Sequence, residues 1–172
     1  MILKIFLIGL PGAGKSTLGR ELARLLCIPF IDLDHAISKA AGHSIPEIFH
    51  SRGEAYFRQL EADTLRSFTE ASFVMATGGG TPCFHENMVY MNSTGVTVYL
   101  DVRPDVIVTR LMETGDTGRP LLAGQNENEL RVRLDELREA RLPHYQQAQL
   151  RIATEPVKPN EVQQAILEYL KK

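Results

Sequence analysis

The most informative chemistry in this chain lies in a glycine-rich segment near its start. Residues 9–16 read GLPGAGKS and match G-x-x-x-x-G-K-[ST] at every fixed position. The glycines let backbone N–H groups turn toward phosphate oxygens, and a following helix adds partial positive charge. Lys15 can reach the β- and γ-phosphates of a nucleotide, and the Ser16 hydroxyl can bind Mg²⁺. The motif predicts a nucleotide site without naming the reaction, and its flanks argue against a chance glycine turn.

The elements around this motif predict an α/β protein with a doubly wound parallel sheet. Apolar runs predict five strands, at residues 2–8, 30–33, 73–77, 96–100 and 150–153. Helical patterns fall at 15–26, 36–41, 45–68, 105–113, 127–142 and 160–170, with Asn160 as the N-cap of the last. In such sheets ligands bind beyond the carboxyl ends of the strands. The glycine motif, Asp34 and the triple glycine (residues 78–80) should therefore meet at one edge.

Length and composition indicate one domain, over residues 1–172, and exclude several classes of function. The chain has a net charge of −2, which argues against a general nucleic-acid binder. Its apolar start is too short for a transmembrane helix and lacks the cleavage region of a signal peptide. Two cysteines form no disulfide framework, which fits a reducing cytoplasm. We therefore expect a cytoplasmic protein without membrane or nucleic-acid partners, and a monomer because no interface signal is evident.

The motif leaves open a GTPase switch, a larger ATPase or a small-molecule kinase. A switch would normally carry an Asn-Lys-x-Asp guanine reader, which is absent. A motor or transporter ATPase would usually be larger and end an apolar strand in Asp, whereas the third strand here ends in glycines. The segment at about 112–126 is rich in turn residues and predicts a mobile lid, which would exclude water from phosphoryl transfer. These features favour a kinase.

Several further segments, taken in order, resemble the shikimate kinase family over almost the whole chain. The matching pieces are GLPGAGKST at 9–17, DLD at 32–34, RGEAYFR at 52–58, TGGG at 77–80, GRPLL at 118–122 and R-x-x-x-Y at 141–145. The resemblance implies a three-layer P-loop NTPase fold, with a five-stranded parallel sheet flanked by helices and a mobile lid. It also implies transfer of the γ-phosphoryl group of MgATP to the 3-hydroxyl of shikimate, in the pathway to chorismate and the aromatic amino acids.

The family pattern also implies how the nucleotide is bound. Ser16 would bind Mg²⁺ directly and Asp32 would bind it through water. Lys15 and the lid residue Arg119 would stabilise charge on the transferring group. The full set of ATP-binding residues is expected to be Gly12, Ala13, Gly14, Lys15, Ser16, Thr17, Arg110, Arg119 and Pro159, with the arginine at 110 and the proline at 159 facing the adenine.

The acceptor is expected to bind within the segment at about 33–61 and against the triple glycine. Asp34 would bind the reacting hydroxyl, either removing its proton or only aligning it. Because a guanidinium matches a carboxylate in a planar two-bond geometry, Arg58 and Arg141 are the candidates for the acid group. Gly79 and Gly80 would offer N–H groups where a side chain would obstruct the ligand.

Each of these assignments has a structural alternative. Asp32 and Asp34 lie two apart at the end of an extended segment and so share a face, but either could instead cap the next helix. The arginines could be solvated surface residues, although Glu61 lies at helical spacing from Arg58 and could hold it. The runner-up functions are a related kinase of a polyol acid such as gluconate, and a regulatory module that binds MgATP without turnover.

Overall fold

The computed structural model of the chain describes residues 3–114 and 126–171. Its strands are β1 (Leu3–Ile8), β2 (Phe30–Asp32), β3 (Ser72–Ala76), β4 (Val96–Leu100) and β5 (Leu150–Ile152). Its helices are α1 (Lys15–Leu26), α2 (Leu33–Ala41), α3 (Ile45–Arg66), α4 (Asn87–Thr94), α5 (Pro104–Thr114), α6 (Glu127–Tyr145) and α7 (Pro159–Tyr169), and a single 3₁₀ turn covers Thr81–Cys83.

The five strands form one parallel sheet, as the sequence predicted, and their order in the sheet is β2-β3-β1-β4-β5. The central strand β1 is almost entirely buried, which explains its continuous run of bulky apolar residues. Helix α1 packs against β3 and α7, while α5 packs against α6. Leu7 and Asp32 both pair with Ala76, so the segments that follow β1, β2 and β3 leave the sheet at the same edge.

The second strand and the helix after it differ from the prediction. Strand β2 ends at Asp32, and Leu33 already belongs to α2. The Asp32 side chain accepts a hydrogen bond from the backbone N–H of His35 at 3.3 Å and caps this helix. Asp34 therefore lies in the first turn of a helix, and the idea that both carboxylates share the face of an extended segment is wrong.

Helix boundaries elsewhere also depart from the sequence pattern. The N-cap of α7 is Lys158, not Asn160, because Pro159 occupies the first helical position that suits proline. Helix α3 is interrupted at Gly53, where φ is 80°, a break that its sequence pattern did not indicate. Helix α4 was not predicted. Most of the expected lid lies outside the described residues; its first positions belong to α5, and Asn126 caps α6.

No helix in the described parts of the chain is both long and apolar enough to span a bilayer.

Candidate active site

A cleft of about 800 Å³ opens at the edge of the sheet where β1, β2 and β3 end. Its wall includes Ser16 after β1, Asp34 after β2 and the triple glycine after β3, so the sequence was right that these groups meet. Arg58 from α3 and Arg141 from α6 also line it. Residues from five separate stretches of chain therefore share one concave surface.

The phosphate loop connects β1 to α1 through backbone that favours glycine. Gly12 and Gly14 have φ of 83° and 86°, and Gly14 is the N-cap of α1. Lys15 is only 4% exposed, and its Nζ donates hydrogen bonds to the carbonyl oxygens of Gly9 at 2.9 Å and Leu10 at 2.8 Å. The ammonium is thus held against the loop at the N-terminus of a helix, where a polyphosphate is favoured.

Two side chains whose oxygen atoms could bind a metal ion lie beside this loop. Ser16 Oγ donates to Asp32 Oδ2 at 2.7 Å, and Asp32 uses its other oxygen to cap α2. Hydroxyl and carboxylate oxygens are ligands that suit Mg²⁺. The pair therefore fits a magnesium ion that arrives with a nucleotide. Asp32 also caps α2, and because the cap uses only one of its oxygens, capping is compatible with binding the ion.

The triple glycine lies close to the charged groups expected to bind the acceptor. A Cβ added at Gly78 would lie 3.0 Å from Asp34 Oδ1, and one at Gly79 would lie 2.9 Å from Arg141 Nη1. A Cβ at Gly80 would lie only 2.7 Å from Arg58 Nη2. Side chains at the last two positions would collide with the guanidinium groups, so this close approach gives a reason for glycine there.

Arg58 is held by carboxylates on its own helix. Its Nη1 donates to Glu61 Oε2 at 2.9 Å, which confirms the contact predicted from their spacing, while Nε and Nη2 both donate to Glu54 Oε1 at 3.2 Å. Glu61 is fully buried and also accepts from Thr81 Oγ1 at 2.6 Å. Burial raises the pKa of Glu61, although Arg58 and the hydroxyl of Thr81 act in the opposite direction. Arg58 is 7% exposed, so it is not a solvated surface arginine.

Arg141 approaches the same glycines from α6. Its Nη1 is buried and has no hydrogen-bond partner among the described residues. One turn later, Tyr145 donates from its hydroxyl to the carbonyl oxygen of Gly79 at 2.6 Å. Burial raises the pKa of Tyr145, which keeps this hydroxyl neutral and able to donate. Helix α6 thus supplies a cation and also fixes the backbone that it faces.

A family model for shikimate kinase matches residues 11–171. The chain belongs to the shikimate kinase family. Shikimate kinase of Bacteroides thetaiotaomicron is 46% identical over 149 residues, covering 86% of this chain and 85% of that protein. The corresponding enzyme of Phocaeicola vulgatus is 41% identical over 170 residues, covering 98% and 97%.

Solved structures of shikimate kinases agree with this. The crystal structure of the Bacteroides thetaiotaomicron shikimate kinase superposes with a TM-score of 0.86 and 41% identity, covering 99% of each chain. A shikimate kinase from Acinetobacter baumannii in complex with shikimate gives a TM-score of 0.86 and 34% identity, covering 99% of this chain and 94% of that one. These matches confirm the P-loop fold and the predicted family, and they make the chain an ATP-dependent kinase.

The remaining predicted residues lie away from the described wall or outside the described chain. Arg110 is half-buried on α5 and Pro159 is half-buried at the start of α7, so their contact with adenine stays a prediction. Ala13 is buried, and Thr17 is exposed in the first turn of α1. Arg119 and the segment 118–122 fall within the undescribed residues 115–125.

Sequence reasoning missed a charge cluster around a buried carboxylate that does not line the cleft. Asp101 follows β4, is 6% exposed, and accepts hydrogen bonds from Tyr99, Arg138 and Arg151. It looks like an ordinary acidic residue after a strand, and its arginine partners lie 37 and 50 residues further along the chain. Because these partners come from α6 and β5, no local pattern in the sequence indicates the cluster.

Proposed function

We propose that this chain transfers the γ-phosphoryl group of ATP to the 3-hydroxyl of shikimate, giving shikimate 3-phosphate and ADP. The observation that carries the proposal is the approach of Arg58 and Arg141 to Gly80 and Gly79, beside Asp34 and next to the phosphate loop. Two guanidinium groups suit a small carboxylic acid, and the neighbouring carboxylate suits its hydroxyl. The shikimate-bound relative from Acinetobacter baumannii supports the same acceptor.

In this reaction the acceptor oxygen attacks the γ-phosphorus while the bond to the bridging oxygen of ADP breaks in line. Asp34 accepts a hydrogen bond from the attacking hydroxyl and orients it, and the hydroxyl proton leaves to this carboxylate or to water. Lys15 and the loop amides stabilise the charge on the phosphates. Ser16 and, through water, Asp32 would hold Mg²⁺, which would supply positive charge to offset that of the triphosphate. Arg119 adds positive charge from the proposed lid at about 112–126, and Arg110 and Pro159 enclose the adenine.

The acceptor is held by Arg58, Arg141 and the backbone of Gly79 and Gly80, within a single domain whose acceptor-binding segment covers about 33–61. A bound carboxylate would engage donors that are already fixed, so little conformational freedom is lost on binding. Gly79 is further restrained by the hydroxyl of Tyr145.

The decisive experiment measures ADP release from MgATP with shikimate, gluconate, nucleoside monophosphates or no acceptor. We expect stimulation by shikimate alone. Stimulation by gluconate instead would replace the acceptor assignment, and no stimulation by any acceptor would favour a regulatory module. Arg58→Ala should raise the KM for shikimate at least tenfold, the usual cost of truncating a buried charged partner, with ATP binding nearly unchanged. Arg131→Ala is the control, since that arginine is exposed on α6 and lies outside the acceptor-binding segment.

We also propose that the enzyme is a cytoplasmic monomer that does not bind nucleic acid or membranes. The negative net charge and the two free cysteines, Cys27 and Cys83, support this. Light scattering of the purified protein tests the monomer, and fractionation of cells tests the compartment. A dimer mass would overturn the first part.

A further inference from the structure

An aromatic ring covers the guanidinium group of Arg58. The Phe84 ring centroid lies 4.3 Å from Arg58 Cζ, closer than that of Phe57 at 5.1 Å. Phe84 is itself 36% exposed, so burial of its own apolar surface is incomplete. A cation within about 6 Å of a ring centroid is attracted by the negative face of the ring. This contact gives a reason for an exposed phenylalanine beside Arg58.

The backbone around Phe84 is held in an uncommon conformation. His85 and Glu86 follow it with φ of 48° and 54°, two consecutive non-glycine residues in the left-handed region. Asn87 donates its backbone N–H to the carbonyl oxygen of Phe84 at 2.9 Å. Arg66 donates to the carbonyl oxygen of His85 at 2.8 Å and to Asn87 Oδ1 at 2.6 Å. Such strain persists only where surrounding contacts enforce it, and it clusters at functional sites.

The side chain of Arg58 is shielded from solvent, although one of its carboxylate partners is exposed. Its helix α3 is a surface element, and the side chain of its partner Glu54 is 58% exposed, yet the side chain of Arg58 is only 9% exposed. Glu61 holds the guanidinium from the buried side at 2.9 Å. Phe84 contacts the same guanidinium from the segment that follows the triple glycine.

We propose that Phe84 is a positioning residue, which holds Arg58 in place and shields it from water so that it can bind the acceptor's carboxylate. The inference rests on the proposed function, because it assigns Phe84 to the acceptor half of that site. Shielding matters because an ion pair in a partly dry environment is stronger, and less weakened by salt, than one in water. Phe84 acts through Arg58 and need not touch the acceptor.

Three substitutions separate the ring from mere bulk. Phe84→Tyr keeps the aromatic face, Phe84→Leu keeps much of the apolar volume, and Phe84→Ala removes both. We expect the tyrosine variant to retain the parent KM for shikimate. The leucine variant should raise it roughly two- to fivefold, the range of an exposed cation–aromatic contact, and the alanine variant should raise it further. The KM for ATP should stay constant throughout.

Two readouts distinguish shielding from general loosening of the fold. Added KCl should raise the KM for shikimate more steeply in Phe84→Ala than in the parent, because an exposed ion pair is screened. The rate at which phenylglyoxal modifies Arg58, located by peptide mass spectrometry, should also rise in this variant. Val89→Ala is the control, since Val89 is 62% exposed on the neighbouring helix α4.

The outcomes separate this inference from the function on which it rests. If the parent shows no shikimate-dependent ADP release, the proposed function fails, whereas the Arg58 modification rates still report on the aromatic contact. A leucine variant with the parent KM, an equal rise in the KM for ATP, or unchanged modification of Arg58 in the alanine variant would each overturn the role of Phe84.

Discussion

Replacing Asp101 with asparagine tests whether a buried charge away from the cleft positions the acceptor site. Asp101 Oδ1 accepts from Tyr99 Oη at 2.8 Å and Arg138 Nη2 at 3.1 Å, and Oδ2 accepts from Arg151 Nε at 2.8 Å and Nη2 at 2.5 Å. These partners lie on β4, α6 and β5. One carboxylate therefore joins the helix that carries Arg141 to two strands of the sheet.

The cost of the substitution follows from the exposure of each partner. A hydrogen bond to a charged group contributes about 1.5–3 kcal/mol when buried, and an exposed ion pair about 0–1 kcal/mol. The side chain of Arg151 is 65% exposed and that of Arg138 is 33% exposed, so both interactions fall toward the lower figures. We expect Asp101→Asn to lower the free energy of unfolding by about 2 kcal/mol, equivalent to a fall in Tm of ~4–8 °C for a chain of this size.

The same change has a defined pH dependence. Burial raises the pKa of Asp101, but the hydrogen bonds from Tyr99, Arg151 and Arg138 outweigh it and leave that pKa below its ordinary value of 3.8. A lowered pKa means that the stabilisation is complete above pH 3.8 and is lost as the pH falls through the lower native value. The difference between parent and variant should therefore be full at neutral pH and shrink in strong acid.

Urea unfolding and steady-state kinetics test both consequences. Because Arg138 lies one turn before Arg141 on α6, the KM for shikimate should rise in Asp101→Asn while the KM for ATP stays near that of the parent. Asp135→Asn makes the same chemical change at an exposed position of α6 and should alter neither quantity. Equal stability of the two variants would refute the energetic argument, and a parallel rise in both KM values would refute positioning.

Two further perturbations probe the residues around Arg58. Gly80→Ala would place a Cβ 2.7 Å from Arg58 Nη2, so the KM for shikimate should rise severalfold while nucleotide affinity, measured by calorimetry, is preserved; an unchanged KM would contradict this close approach. Burial raises the pKa of Glu61 above 4.5, so the native state keeps the proton of this carboxyl to a higher pH than the unfolded chain does. The free energy of unfolding should therefore fall as the pH rises from 4.5 to the raised pKa. Glutamine cannot titrate, so Glu61→Gln should make the free energy of unfolding, measured with urea, nearly independent of pH over this range. An identical pH dependence in parent and variant would refute the raised pKa of Glu61.

The parts of the site that the sequence predicted are those with strong local patterns. The phosphate loop has fixed residue spacing between a strand and a helix, and alternating elements determine which strand ends share an edge. The contact of Arg58 with Glu61 followed from helical spacing alone. By contrast, Arg141 was selected only through its resemblance to a family pattern, because its helix carries several other arginines.

The features that the sequence did not predict depend on contacts between residues far apart in the chain, or on the hydrogen bond of a single helix cap. The predicted end of β2 was wrong because Asp32, the last residue of the strand, is also the N-cap of α2. A pattern of apolar residues does not indicate such a hydrogen bond. Phe84 follows a short 3₁₀ turn, and the contact that distinguishes it is with an arginine 26 positions earlier in the chain. Helix α4 has almost no amphipathic pattern, since its buried positions include Asn87 as well as methionines.

The two arginines that we expect to bind the acceptor differ in their contacts. Arg58 already contacts two carboxylates, those of Glu54 and Glu61, so its positive charge is largely compensated while its orientation is tightly restrained. Arg141 has a buried Nη1 without a hydrogen-bond partner in the described residues, which is costly unless a ligand satisfies it. We therefore expect the acceptor's carboxylate to satisfy the buried Nη1 of Arg141 and to pair with Arg58, whose orientation is already fixed. The contacts that hold Arg58 are a ring and two carboxylates, whereas the position of Arg141 depends on the placement of helix α6.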